Sequence, residues 1–262
     1  MAVSHSITTH AAVHEGRLAL PPPMPGSGTV DARRRLRRIL VATDGTPDSD
    51  GALTVTSLLA RRHGSTVDVV TALPRWGPPA PVHEVLNVTG ELLSDRLERV
   101  LPRCHRAFGD SIPWTVAIAD GRTVRSIQDA ARSRSADLIV TGIRSGLVDR
   151  LLRYPTALSV AQAADVPVLV VPTSATSLRT GAVVAIGGSE SNVAPLLAAA
   201  HDLGLDGEPA GHVVAARRVR FLRRRSIGSD GRRLLRDARC CVLLFGPRVL
   251  GWLRRPHASR SI

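Results

Sequence analysis

A loop that could hold a phosphate follows the apolar run ADLIV at residues 136–140. Gly142 and Gly146 lie in this loop, and glycine lets a backbone approach an anion closely because it carries no Cβ. Ser145 adds a side chain between them, and Pro155 removes a backbone N–H where the next helix would begin. The loop therefore resembles an anion-binding site that offers fewer backbone N–H donors and a less close approach to the anion.

No arrangement typical of a catalytic or metal site is recognisable in the sequence. The nine histidines are scattered without the spacing of a metal-binding motif, and the three cysteines form no CxxC pair. Neither paired carboxylates nor a Ser–His–Asp arrangement can be placed. We expect reduced, buried thiols, no metal, and no enzymatic activity beyond slow, incidental nucleotide hydrolysis.

The composition limits the partners of the chain. Its net charge is +13, and all 35 basic residues are arginine. Only 3% of the residues are aromatic and the basic stretches carry no recognised reading motif, so nucleic acid is not the expected partner. No apolar run of 18 residues predicts a membrane span, and the N-terminus lacks the pattern of a signal peptide. A cytoplasmic location is the expectation.

Strand-like and helix-like segments alternate through the first two thirds of the chain. The strand-like segments are continuous apolar runs, such as ILVAT (39–43) and PVLVV (167–171), which are typical of buried parallel strands. Strands that alternate with helices predict a parallel sheet covered on both faces. The predicted fold class is α/β, with a Rossmann-like, open, parallel five-stranded sheet and helices on both faces.

One long helical pattern runs from Val82 to Phe108. Proline removes a backbone hydrogen bond and clashes with the preceding turn of a helix. Pro102 therefore predicts a kink or an early end of this helix near Val100.

The second part of the chain repeats the first in shortened form. AVVAIGGSES (182–191) parallels ILVATDGTPD (39–48), and CVLLF (241–245) parallels the run at 167–171. The middle of the repeat is missing, and an arginine-rich link at 217–233 stands in its place. The predicted organisation is a flexible leader, a complete domain, a degenerate partial copy and a basic tail, at residues 1–33, 34–174, 181–250 and 251–262.

The segments ILVATDGTPDSDGAL, VDVVTAL, GRTVRSIQDAARSRSADLIVTG and AADVPVLVVP resemble, in order and spacing, the universal stress protein (UspA) family. The resemblance covers residues 37–172, and the whole chain resembles a tandem form with a degenerate, truncated second copy. In the second copy Gly187 stands at the position of Asp44 in the first. We do not expect the second copy to bind nucleotide.

Nucleotide-binding members of that family use a loop written G-x2-G-x9-G-(S/T). The resemblance implies that Asp44 contacts a ribose, although an acid at this position also serves as a turn or cap residue. Ser145 and Pro155 replace two loop glycines, so ATP or AMP binding is expected to be weak or lost. The implied site consists of Ala42, Thr43, Asp44, Ala72, Gly142, Ser145, Gly146 and Thr156.

Two functions are compatible with this sequence. The leading hypothesis is a non-enzymatic stress-response module with an eroded ATP-binding loop, acting through interactions with a protein partner that the sequence does not identify. The alternative is an ATP- or AMP-binding regulatory switch that uses the first domain. The resemblance also implies self-association, or an internal pseudo-dimer, through the last strands at 167–171 and 241–245.

Overall fold

Strands from both parts of the chain join in one mixed sheet. The structure, a computed structural model, describes residues 36–73, 82–143, 156–178, 180–185, 199–200, 203, 213–215 and 241–249. Its strands are β1 Arg38–Ala42, β2 Thr66–Leu73, β3 Trp114–Asp120, β4 Leu138–Ile143, β5 Val168–Pro172, β6 Thr180–Ala185, β7 Val213–Ala215 and β8 Cys241–Phe245. Their order across the sheet is β3-β2-β1-β4-β5-β8-β6-β7.

The first five strands are parallel, as the sequence predicts. Val41 in β1 pairs with Val69 in β2 on one side and with Val140 in β4 on the other. All three side chains are fully buried. The continuous apolar runs are explained by this position, because a parallel sheet covered on both faces buries successive side chains on alternate sides.

Helices pack on both faces of the sheet, which confirms the predicted α/β class. One face carries α1 and α2, and the other carries α3 and α4. The helices are α1 Asp50–His63, α2 Val82–Phe108, α3 Thr123–Ser133 and α4 Thr156–Ala163, with a short 3-10 turn at Pro47–Ser49 before α1. No helix in the described part of the chain is long and apolar enough to cross a membrane.

The predicted early end of α2 near Val100 is wrong, and the kink at Pro102 stays a prediction. The helix continues through Pro102 to Phe108. Val100, Cys104 and Phe108 lie four residues apart on one face and are fully buried, whereas Pro102 is exposed. Burial of this stripe outweighs the roughly 3 kcal/mol that a proline costs inside a helix.

The sheet extends beyond β5 through the three strands that follow it in the sequence. β8 pairs antiparallel with β5, so that Leu169 lies opposite Leu243, and both side chains are fully buried. β6 then pairs parallel with β8, and β7 with β6. These three strands come from the segment predicted as a second copy, and their assignment to a repeat stays a prediction.

The residues after β8 contact the C-terminal end of α4. A Cβ at Gly246 would overlap the carbonyl oxygen of Ala161 in this helix. Arg248 donates to the carbonyl oxygen of Ala163 at 3.3 Å and lies 3.6 Å from Asp165. A cation beside the last carbonyls of a helix is favourable, since that end carries a partial negative charge. The segment 246–249 therefore packs closely onto α4.

Candidate functional site

A cavity of about 300 Å³ opens at the carboxyl ends of β1, β2 and β4. β1 lies between β2 and β4, and the connections from β1 to β2 and from β3 to β4 run on opposite faces of the sheet. Such a switch point is where open parallel sheets bind ligands. The described lining residues are Ala42, Thr43, Asp44, Asp48, Ser49, Val70, Ala72, Arg96, Thr123, Ile127, Thr141, Gly142, Ile143 and Thr156.

The turn between β1 and α1 forms one wall of the cavity. The Asp44 carboxylate accepts hydrogen bonds from the backbone N–H and the hydroxyl of Thr46, at 3.0 and 2.6 Å. The Thr43 hydroxyl accepts from the backbone N–H of Gly45 at 3.0 Å and lies 2.7 Å from the Ser49 hydroxyl. Asp44 thus has the role of a turn acid, and its carboxylate is held at the cavity by local hydrogen bonds.

Helix α2 packs directly on this turn. The Arg96 guanidinium lines the cavity and donates to the carbonyl oxygen of Asp44 at 2.6 Å. Gly45 has a φ of +73°, and a Cβ there would come within 2.9 Å of Val100. Both the backbone angle and the close approach therefore require glycine at this position.

The end of β4 forms the opposite wall. A Cβ at Gly142 would lie 3.2 Å from the carbonyl oxygen of Asp48, so the turn before α1 passes very close to this strand. The Thr173 hydroxyl, just after β5, lies 3.2 Å from the same Asp48 oxygen and 3.3 Å from the carbonyl oxygen of Ile143. These contacts connect the two walls.

Two helix N-termini face the cavity. Thr123 is the first residue of α3 and Thr156 the first residue of α4, and both line the cavity. Neither helix has an acidic residue in its first turn. The partial positive charge of a helix N-terminus favours anions, so the cavity can take a polar molecule that carries a negative group.

Six of the eight site positions that the sequence implies line this cavity. Two of the eight positions, Ser145 and Gly146, lie outside the described residues, together with Pro155. The sequence did not indicate Arg96, Asp48 or Thr123. The six implied positions that the structure brings together are Ala42, Thr43, Asp44, Ala72, Gly142 and Thr156.

The described lining contains neither histidine nor cysteine, and no group of three or more potential metal ligands occurs among the residues that the structure describes. Cys104 and Cys241 are buried and free of disulfides. Burial raises the pKa of the Cys104 thiol to about 12, which keeps it protonated and unreactive.

A second, smaller cavity of about 140 Å³ lies between the C-terminal ends of α3 and α4. Arg132 and Asp165 line it and form an ion pair at 2.7 Å. The carboxylate of Asp165 raises the pKa of Arg132 further, by hydrogen bonding and by charge. This cavity is at the end of the sheet opposite the candidate site, and we assign it no ligand.

Comparisons with known proteins agree with this architecture. A universal stress protein from Archaeoglobus fulgidus DSM 4304 is 16% identical, with a TM-score of 0.55 over 80% of this chain and 96% of that chain. A functionally unknown protein from Pseudomonas aeruginosa PAO1 is 16% identical, with a TM-score of 0.53 over 86% and 98%. At these identities the likeness shows the fold alone.

Another solved structure and the family model each cover about half of this chain. A universal stress protein in complex with cAMP is 22% identical, with a TM-score of 0.42 over 53% of this chain and 99% of that chain. No curated protein matches the chain. The sequence model of the universal stress protein family, however, matches residues 35–172, which is more than half of the 262 residues. The chain therefore belongs to the universal stress protein family.

Proposed function

We propose that this chain is a non-enzymatic stress-response module whose cavity binds an adenine nucleotide, ATP or AMP. The main support for the proposal is that six site positions implied by the sequence line one cavity. They come from four elements that are far apart in the sequence, namely the end of β1 with its turn, β2, β4 and the start of α4. The proposal combines the non-enzymatic module of the leading hypothesis with the nucleotide binding of the alternative.

The side of the cavity near β1 and β2 suits a nucleoside. Val70 and Ala72 present apolar groups against which a planar base can pack. The Asp44 carboxylate can only accept hydrogen bonds, which complements the hydroxyl donors of a sugar. This side does not depend on the loop in which Ser145 replaces a glycine.

The side of the cavity near α4 suits a phosphate less well than the glycine loop of the family pattern would. Thr156 keeps the hydroxyl at the start of the helix. Pro155, just before it, lacks the backbone N–H that would donate to an anion. We therefore expect affinities in the micromolar range and a smaller gain from each added phosphate than an intact glycine loop would give.

Calorimetric titration with AMP and ATP tests this proposal. We expect binding to the wild type, and a loss of affinity on the order of tenfold or more in Asp44→Ala, because one charge-assisted hydrogen bond to the sugar is removed. Asp110→Ala is the matched control, since Asp110 is an exposed carboxylate between α2 and β3 at the other end of the sheet. Equal affinities in both variants would count against the assigned position of the sugar.

The same titration separates the two candidate functions. A wild-type protein that binds neither AMP nor ATP, and carries no nucleotide after purification, acts through interactions alone. No residue in the described lining forms a nucleophile–base pair with histidine or cysteine. Hydrolysis of ATP is therefore expected to be slow and incidental in either case.

The proposal also includes an internal pseudo-dimer. The antiparallel pairing of β5 with β8 supports it, because two last strands of the predicted repeat then lie side by side within one chain. An edge that is paired within the chain is not available for pairing with a second copy.

We expect the full chain to sediment as a monomer over a wide range of concentrations. The physical reason is that β8 already occupies the edge of β5. Analytical ultracentrifugation measures this directly. A stable homodimer at low protein concentration would show that β8 does not replace an external partner.

A further inference from the structure

Arg96 is a charged residue that a separate helix contributes to the cavity. It lies on α2, 52 residues beyond Asp44, and donates from Nη1 to the carbonyl oxygen of Asp44 at 2.6 Å. Arg96 lines the same cavity as the implied sugar and phosphate positions. The charged side chains among the described lining residues are Arg96, Asp44 and Asp48.

The position of Arg96 is fixed by contacts one and two turns further along α2. Val100 packs against Gly45, where a Cβ would come within 2.9 Å. Arg103 donates from Nη1 to both carboxylate oxygens of Asp50, at 2.5 and 2.6 Å. The contacts of Arg96, Val100 and Arg103 therefore hold this part of α2 against the segment between β1 and α1. Because the Arg96 side chain is already held in place, a ligand does not have to order it on binding.

Two helix N-termini among the described surroundings of the cavity also favour an anion and oppose the effect of the Asp44 and Asp48 carboxylates. The N-termini of α3 and α4 face it without acidic residues in their first turns. An arginine binds phosphate more strongly than it binds a neutral acceptor, because the hydrogen bonds are charge-assisted and the planar fork fits two oxygens. The substitutions Ser145 and Pro155, by contrast, weaken the loop that would otherwise supply donors to the phosphate.

We propose that Arg96 contacts the ligand and makes this cavity select a phosphorylated nucleoside over the neutral nucleoside. The inference rests on the proposed function and names the residue and the charge that determine its specificity. Arg96 attracts the phosphate from α2, and this attraction replaces part of what the loop with Ser145 and Pro155 has lost. The ligand class is an adenine nucleotide, and adenosine is expected to bind more weakly.

Calorimetric titration of the full-length protein with adenosine and with AMP, at low and at high salt, tests the inference. We expect wild type to bind AMP more tightly than adenosine by on the order of tenfold, with a preference that decreases as salt screens the charge. In Arg96→Gln we expect the preference to disappear, because the charge-assisted contact to phosphate is lost. The hydrogen bond to the carbonyl oxygen of Asp44 is lost as well, and that loss lowers the affinities for adenosine and AMP by the same factor. Arg96→Lys keeps the charge without the fork and should retain part of the preference.

Arg99→Gln is the matched control, because Arg99 is an exposed arginine on the same helix that donates to the carbonyl oxygen of Asp95. It should leave both affinities unchanged. If Arg96→Gln still prefers AMP, or if its affinities for adenosine and AMP fall by the same factor, the inference is overturned. If wild type binds both ligands equally well, the inference fails and the proposed function stands. Failure of wild type to bind either ligand overturns the proposed function and the inference together.

Discussion

Replacing Gly246 by alanine is expected to lower the free energy of unfolding by about 3 kcal/mol, the upper end of the range for overpacked sites. The new Cβ would overlap the carbonyl oxygen of Ala161 and lie 3.1 Å from its carbon. Both are backbone atoms of α4, so they cannot move aside as a flexible side chain could. Either α4 or the segment after β8 must shift, and each shift disturbs the buried contacts around β5. Chemical denaturation of wild type and variant measures the loss.

Gly64→Ala is the control for Gly246→Ala. Gly64 ends α1 with a φ of +66°, and nothing lies within 4 Å of a Cβ built there. Alanine at this position costs about 1 kcal/mol of backbone strain without any overlap. If Gly246→Ala destabilises the protein no more than Gly64→Ala, the segment 246–249 does not pack on α4 as described.

Removing the Asp68 carboxylate is expected to destabilise the fold by about 3 kcal/mol, because it leaves a largely buried cation without its anion. Asp68 lies in β2 with a side chain that is 7% exposed, and its partner Arg134, 22% exposed, approaches to 2.6 Å. The same oxygen accepts from the Thr115 hydroxyl at 2.8 Å, and Arg38 lies 3.5 Å from the other oxygen. Asp68→Ala followed by chemical denaturation tests this expectation.

A double variant shows whether the loss comes from the unpaired charge. Replacing both partners, with Asp68→Leu and Arg134→Met, removes the buried cation along with the carboxylate. Exchange of a buried ion pair for apolar residues of similar volume is often neutral or stabilising. We expect the double variant to be more stable than Asp68→Ala. A double variant less stable than the single one would mean that Asp68 acts mainly through Thr115 and Arg38.

The strands of the first domain could be predicted within a few residues because their burial is continuous. Runs such as ILVAT and PVLVV are apolar and bounded by polar turns. Burial on both faces of the sheet explains both their apolar pattern and their central position. The predicted early end of α2 near Pro102 failed for the opposite reason. A local rule about proline was outweighed by Val100, Cys104 and Phe108, whose burial depends on a sheet that is distant in the sequence.

The candidate site was predictable where a motif marks it. Asp44, Ala72 and Gly142 follow or end predicted strands, and parallel strands bring their carboxyl ends to one edge. Arg96 could not be recognised in the same way. Its spacing with Val100 places it on the packed face of α2, but only the structure shows that this face meets the turn after β1.

The direction in which β8 joins the sheet was also beyond the sequence pattern. An apolar run such as CVLLF fits a parallel or an antiparallel neighbour equally well, because both bury its two faces. The resemblance suggested only that the last strands meet. The antiparallel register of Leu169 with Leu243 is a result of the structure.

Hydrogen–deuterium exchange with and without AMP tests the central claim most directly, because it reports both binding and its position. We expect saturating AMP to slow exchange in residues 42–49, 70–73 and 141–143, which surround the cavity, while β8 at 241–245 is unaffected. Protection confined to other segments, or no protection at any AMP concentration that the experiment can reach, would contradict a nucleotide site at the carboxyl ends of β1, β2 and β4.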